Sequence, residues 1–254
     1  MNLNPKYLLG ALPDAAWRLL LSRQRFPLLR TFQMGREWAY DACRFAGTRD
    51  FPVLFDVGAH VGETSLYLHR FFPRGQIHAF EFVPETARQL KENVRHRPNI
   101  QVHVQALGST SGELQVPLQA YSKVNSLRFG SRPGPGSPPA GSLTVHVTTV
   151  DAFCASNGIT RIHLLKTDAE GLDLQIIEGA AGLIAAQQVP FIFSEVTFAP
   201  TDAQQHFEPV HRFLTRRGYH LCGFYEAHIH ESRHLFCNAL YCNPAALAAP
   251  ARSP

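Results

Sequence analysis

Apolar residues in this chain gather in short runs separated by longer, more polar stretches. Pro52 to Val57, Gln76 to Phe82, Ile100 to Leu107, Ile162 to Asp168 and Val189 to Val196 are such runs. Runs of this length without strict alternation read as strands buried on both faces. The stretches between them have helical character. Glu63 to Phe72 is a helix stopped near Pro73. Pro84 opens a second helix, as a first-turn proline can, and it runs to about His96. A third follows Gly171 to about Gln187, with a break near Gly179, and a fourth covers Ala203 to Arg217. Strands alternating with helices predict a parallel sheet covered on both faces.

The remaining segments are less regular. Glu113 to Leu118 and Leu143 to Val150 alternate as β ribbons, and Asp151 to Asn157 reads as a short helix stopped by Gly158. Between the ribbons, the glycine- and proline-rich stretch from Gly130 to Gly141 cannot form regular structure, so residues 129–142 are expected to be a flexible insertion. Near the end, Tyr219 to Tyr225 and Leu235 to Cys242 read as a strand pair joined by Glu226 to His234. The organisation expected is a helical extension over residues 1–50, one domain over 51–242, and a disordered Ala/Pro-rich tail over 243–254.

Composition narrows the class. Of 254 residues, 45% are hydrophobic and 17% charged, enough for a sizeable core. A net charge of +4, with no stripe of lysine and arginine, gives no support for a nucleic-acid partner. The five cysteines, Cys43, Cys154, Cys222, Cys237 and Cys242, are scattered without a CxxC pair, which favours a reducing, cytoplasmic setting. No apolar run reaches membrane-spanning length, and the N-terminus lacks the order of a signal peptide. Ala15 to Leu21, followed by Arg23, Arg25 and Arg30, fits either a helix packed on the domain or a peripheral membrane contact.

Two strand ends carry the chemistry. The first is Asp56-Val57-Gly58-Ala59-His60-Val61-Gly62, a strand turning sharply into a helix. Gly58 permits the turn and Gly62 lets the helix sit close to the sheet. A dinucleotide-binding loop would want a second glycine at His60 and a third at Glu63, so a pyrophosphate is disfavoured here. A cationic, phosphate-free adenosyl ligand such as S-adenosylmethionine meets no such obstacle. Asp56 is then a candidate for attracting its cationic end. Glu81, at the end of the next strand, is placed for ribose hydroxyls. The alternative is an ordinary glycine turn with Glu81 a surface acid.

The second is Leu164-Leu165-Lys166-Thr167-Asp168-Ala169-Glu170-Gly171. This strand should neighbour the first, bringing Asp168 beside the glycine loop, with Lys166 on the same sheet face. Glu195 should end the adjacent strand.

These segments together resemble the FkbM-type methyltransferases, which depend on S-adenosylmethionine. The likeness rests on Phe55 to Leu66, Pro84 to Asn93, Ala106-Leu107-Gly108 with Gly112, Asn125-Ser126-Leu127, Val147 to Asp151, Leu165 to Gly179 and Asn238 to Tyr241. Thr167 and Asp173 depart from the usual aliphatic residue and glutamate. The resemblance implies a class I methyltransferase (Rossmann-like) α/β fold, with a mostly parallel seven-strand sheet and an antiparallel last strand. It also implies O-methylation of a hydroxyl on a saccharide, glycolipid or secondary metabolite, and places Asn125 and Ser126 at the cofactor pocket.

For catalysis, Asp168 is the first candidate for the base or acceptor-orienting group, and Glu170 the second. Asp168 is equally a candidate for holding the amino acid end of the cofactor, with Glu170 capping the next helix. Asp168 with Glu195 is a thin set for a divalent metal, and otherwise Glu195 is an acceptor-binding or solvated acid. His228, His230 and His234 lack the accompanying motif of a zinc site. Two other functions keep the fold: methylation of a macromolecule (RNA or protein), and a non-catalytic domain that binds S-adenosylmethionine.

Overall fold

A computed structural model describes residues 12–13, 16–17, 34–117, 142–199, 204–230 and 233–248. Two sheets organise them. The larger is built from β1 (Val53–Val57), β2 (Gln76–Phe80), β3 (Ile100–His103), β7 (Leu164–Thr167), β8 (Phe191–Thr197), β9 (His220–His230) and β10 (Arg233–Cys242), in the order β3-β2-β1-β7-β8-β10-β9. Strands β3, β2, β1, β7 and β8 run parallel, and β10 is antiparallel to both neighbours. A small sheet, β4-β6-β5, combines β4 (Ala106–Leu107), β5 (Gly112–Pro117) and β6 (Ser142–Thr148).

The apolar runs form the centre of the large sheet because both of its faces are covered. On one face lie α1 (Trp38–Ala46), α2 (Glu63–Phe71) and α3 (Pro84–Val94), contributing Trp38, Leu68 and Leu90 to a core with Leu54 and Phe193. On the other lie α4 (Val150–Ser156), α5 (Asp173–Glu178), α6 (Ala181–Ala185) and α7 (Phe207–Thr215), contributing Phe153, Ile176, Ile184 and Val210. Helix starts follow local chemistry. Pro84 occupies the first turn of α3, and the Thr149 side chain accepts from Ala152 N to cap α4.

Four details differ from the sequence reading. The third run divides: Ile100–His103 joins the large sheet, while Ala106–Leu107 pairs with β6. The third helix starts at Asp173 rather than directly after Gly171, and the expected break at Gly179 divides it into α5 and α6. The segment from Glu226, read as a connection, continues as strand, with His228 opposite Phe236 and His230 opposite Arg233. Asn243 to Ala248 does not fray. Asn243 Oδ1 accepts from the backbone of Ala245 and Ala246, starting α8 (Pro244–Ala248), and Ala246 is buried.

The boundary at residue 50 also cuts one core. Trp38 stacks on Phe193 with ring centroids 4.3 Å apart, and buried Trp17 meets Phe71 edge-on at 5.1 Å. Asn125, Ser126 and nearly all of the 129–142 insertion lie outside the described residues, as do most of the first 33 and residues 249–254. Among the described residues, no helix is long and apolar enough to cross a membrane.

Candidate functional site

The carboxyl ends of β1, β2, β7 and β8 open into a cavity of about 820 Å³. In an open α/β sheet this edge, at the switch in strand order, is where ligands collect. Here the switch falls between β1 and β7, and both strand ends singled out in the sequence meet there.

The glycine loop is fixed by backbone contacts. Gly58 N and Ala59 N both donate to Phe80 O at the end of β2, at 3.1 and 2.9 Å. Gly58 has φ +75°, and a Cβ there would lie 1.9 Å from the backbone oxygen of Asp168. Gly62, φ +94°, precedes α2, and a Cβ there would meet Leu90 Cδ1 at 2.5 Å. His60 takes φ +48° without being glycine, a conformation histidine tolerates better than most side chains. Its backbone N donates to Glu81 Oε2 at 3.1 Å, and Val83 N donates to Glu81 Oε1 at 2.8 Å. Glu81 is therefore no loose surface acid. It is buried and aimed by two amides, and burial raises its pKa despite them.

Asp56 departs from its expected role. It is fully buried below the loop and does not line the cavity. Its Oδ1 is 3.0 Å from Lys166 Nζ, and its Oδ2 accepts from Ser65 Oγ at 2.6 Å. Asp56 lies within β1, opposite Lys166 in the sheet, while Gly58 stands just past the strand end at the rim, so Asp56 supports the loop through Lys166 rather than meeting a ligand's charge directly. Lys166 Nζ also reaches Gly58 O at 3.3 Å and lies 3.6 Å from Asp168 Oδ2. Burial works to lower the pKa of this ammonium, but Asp56 and Asp168 outweigh it and keep it charged.

Around Lys166 stands a crowd of acids. Asp168 follows β7, its N donating to Val57 O at 3.1 Å, and its side chain is 40% exposed. Glu170 has φ +51°, and burial with the Asp168 charge raises its pKa to about 7. Asp173, fully buried at the start of α5, is raised to about 7 chiefly by burial. Glu195, 8% exposed on β8, is also pushed upward, by burial first and then by Asp168 and Asp173. The structure thus brings Gly58, Ala59, His60, Glu81, Asp168, Glu170 and Glu195 to one cavity and leaves Asp56 and Gly62 beneath it. Among the described residues, no group of three or more His, Cys, Asp or Glu is arranged to hold a metal ion. His228 lines the cavity; the side chains of His230 and His234 lie outside the described set.

Several cavity residues were not read as functional in the sequence. Trp38, Tyr67 and Phe193 line it, with Asn238, whose segment carried resemblance but no role. Tyr67 donates to Glu37 Oε1, which also accepts from Ala39 N and so caps α1. Nothing in local periodicity marks Trp38 or Tyr67. They reach the site because α1 and α2 pack on the same face of the sheet.

The strand order, the antiparallel β10, the glycine loop after β1 and the acid after β2 define a class I methyltransferase-like fold. The family described as the methyltransferase FkbM domain matches residues 56–221, and this chain belongs to that family. It is 24% identical over 145 residues to hexuronic acid methyltransferase AglP of Haloferax volcanii, covering 57% of this chain and 55% of that protein. It is 21% identical over 164 residues to 2-O-methyltransferase NoeI of Sinorhizobium fredii, covering 57% of this chain and 63% of that one. The chain thus spans less than two thirds of the length of these relatives. A solved FkbM methyltransferase from Methylobacillus flagellatus shares the fold, with a TM-score of 0.52 at 12% identity over 90% of this chain and 58% of that one.

Proposed function

We propose that this chain is an S-adenosylmethionine-dependent O-methyltransferase acting on a hydroxyl of a saccharide or similar small molecule. The observation that carries the reading is Glu81, a buried carboxylate held by the backbone of the glycine loop at the cavity wall. Two amides occupy one lone pair on each oxygen, and a carboxylate has others to offer vicinal ribose hydroxyls. The lining also suits a cationic donor. It includes Glu63, Glu81, Asp168, Glu170, Glu195 and Glu226. The lone lysine or arginine among the described lining residues, Lys166, is already engaged by Asp56 and Asp168. Among the described lining residues a pyrophosphate meets no uncommitted lysine or arginine, while a sulfonium meets several acids.

When bound, S-adenosylmethionine supplies an electrophilic methyl group. The chain's own part is to align the acceptor oxygen and to take its proton. Asp168, the more open acid beside the loop, accepts the hydrogen bond of the acceptor hydroxyl. Glu170, with a pKa near neutrality, is the second candidate for the proton. The name of the relative AglP supports a sugar-type acceptor, and that of NoeI supports transfer to oxygen.

Titration calorimetry with S-adenosylmethionine tests the reading. Wild-type protein binds, and Glu81→Ala binds about tenfold to a hundredfold more weakly, as loss of charge-assisted hydrogen bonds predicts. No heat of binding to the wild type would sink the proposal.

A further inference from the structure

The cavity wall away from the glycine loop comes from β9 and β10, through Glu226, Ala227, His228, Phe236 and Asn238. All five lie beyond residues 56–221, the part that matches the family. Members of one family can therefore differ there while sharing the donor side, since function resides in sites grafted on a fold.

The backbone aims one of these side chains deliberately. Tyr225 pairs with Asn238, and His228 pairs with Phe236. Two residues of β9, Glu226 and Ala227, thus stand against one of β10, Cys237. This is a β-bulge, and Glu226 takes φ +52° in it, a region that costs a non-glycine residue energy. Side chains alternate along a regular strand, so three positions on from Tyr225 His228 would face the other way. The extra residue cancels that reversal. His228 comes round to the face where Tyr225 meets Phe193 at 6.2 Å and Phe193 stacks on Trp38. There the exposed His228 ring lies on half-buried Phe236, with centroids 4.2 Å apart and planes 23° apart. Bulges beside active sites recur as devices that re-aim a side chain.

A row of polar groups runs one step deeper. Thr167 pairs with Ser194, which sets Asp168 beside Glu195, and Glu195 pairs with Asn238. Asp168, Glu195 and Asn238 all line the cavity. A carboxyl group keeps oxygen acceptors in either protonation state, so this row suits a partner bearing several hydroxyls. A flat aromatic pair above it suits an apolar surface. A pyranose ring has both, an apolar C–H face and an edge of hydroxyls, whereas a phenol offers the flat surface with few hydroxyls.

We propose, resting on the donor assignment above, that His228 and Phe236 form the acceptor platform of the cavity. A pyranose ring packs its C–H face against this pair and turns its hydroxyl edge toward Asp168 and Glu195. His228 is a binding residue for the acceptor and takes no proton.

Saturation-transfer NMR tests this on the full chain loaded with S-adenosylhomocysteine. The probes are the methyl glycosides of glucose, galactose, mannose and rhamnose, with catechol as a flat-ring competitor, all at one concentration. At least one glycoside gives signal, strongest on its ring C–H protons, and catechol does not displace it. His228→Ala weakens that glycoside about tenfold, while His228→Phe, which keeps a flat ring, stays within about threefold of the wild type. Both variants bind S-adenosylhomocysteine as the wild type does by calorimetry, which shows them folded with the donor side intact. A loaded wild type that saturates none of the glycosides overturns the inference. So does a His228→Ala variant that binds as well as the wild type. A His228→Phe variant as weak as His228→Ala overturns it too, because the imidazole nitrogens and not the ring face would then hold the acceptor. Displacement by catechol overturns the pyranose as the occupant. Failure of S-adenosylhomocysteine to bind the wild type is a different result, and it removes the function proposed above.

Discussion

The backbone oxygen of Asp168 stands where a side chain on Gly58 would have to go, 1.9 Å from the position of a Cβ. Residues about a hundred positions apart in the sequence are thus in backbone contact across β1 and β7. Gly58→Ala must move one strand end away from the other and also strain a φ of +75°. The expected cost is about 3 kcal/mol or more, in the range of severe single substitutions. Urea unfolding measures it. A loss under about 1 kcal/mol would mean that the two loops part easily.

Lys166 and Asp56 form a buried pair beneath the same contact. Lys166→Met leaves a carboxylate with no cation in a site closed to water. It is expected to cost about 3–5 kcal/mol. Asp56→Asn with Lys166→Met removes the stranded charge, and Ser65 can still donate to the amide oxygen. The double variant should be more stable than Lys166→Met alone. Equal stabilities would show that the charge itself is not what the lysine offsets.

Asp168→Asn tests the assignment of the acceptor-facing acid. With a glycoside that is turned over, kcat should fall about 10²–10⁴-fold, the usual worth of a positioned base. Affinity for S-adenosylmethionine should stay within about threefold, since the hydrogen bonds credited to the ribose come from Glu81. If turnover survives with cofactor affinity intact, the proton goes elsewhere, and Glu170→Gln is the next variant to measure.

Two groups of buried and half-buried residues pull the pH dependence of stability in opposite directions. Asp173 and Glu170 are raised to about 7, so the native state keeps protons that the unfolded chain releases from about pH 4 upward. Their contribution is therefore lost as pH rises from about 4 to 7. His78 and His163 are lowered to about 4 by burial, so theirs is lost as pH falls from about 6.5 to 4. Asp173→Asn removes part of the first effect and leaves the second. Its urea midpoint, followed from pH 4 to 8, should rise with pH more steeply than that of the wild type. Parallel curves would mean that Asp173 titrates normally when folded.

The local patterns carried far into the structure. Short apolar runs between helical stretches were enough to place β1, β2, β7 and β8, because strands covered on both faces must be apolar throughout. The punctuation was equally readable: Pro84 opens α3, and Gly179 separates α5 from α6. Where an element's state depends on its partner, local signals failed. Glu226 to His230 reads as a polar connection, yet it pairs with the strand that follows and extends β9. Asn243, beside prolines and alanines that look frayed, caps a helix packed against the domain.

The sequence by itself carried the family resemblance in its combined segments, and it marked the parallel sheet, the glycine loop and the acids Glu81 and Asp168, since each of these rests on a local run and the turn that ends it. Tertiary structure decided which acids meet a ligand. Asp56 and Gly58 are two residues apart, but one turns into the protein toward Lys166 while the other lies at the cavity rim. Trp38 and Tyr67 enter the site from helices without a motif, and Glu195 becomes a buried acid at the cavity wall only once β8 is packed between β7 and β10. Burial and charge proximity are properties of the packed chain. They set the protonation of Glu170, Asp173 and Glu195, which no local run of residues encodes.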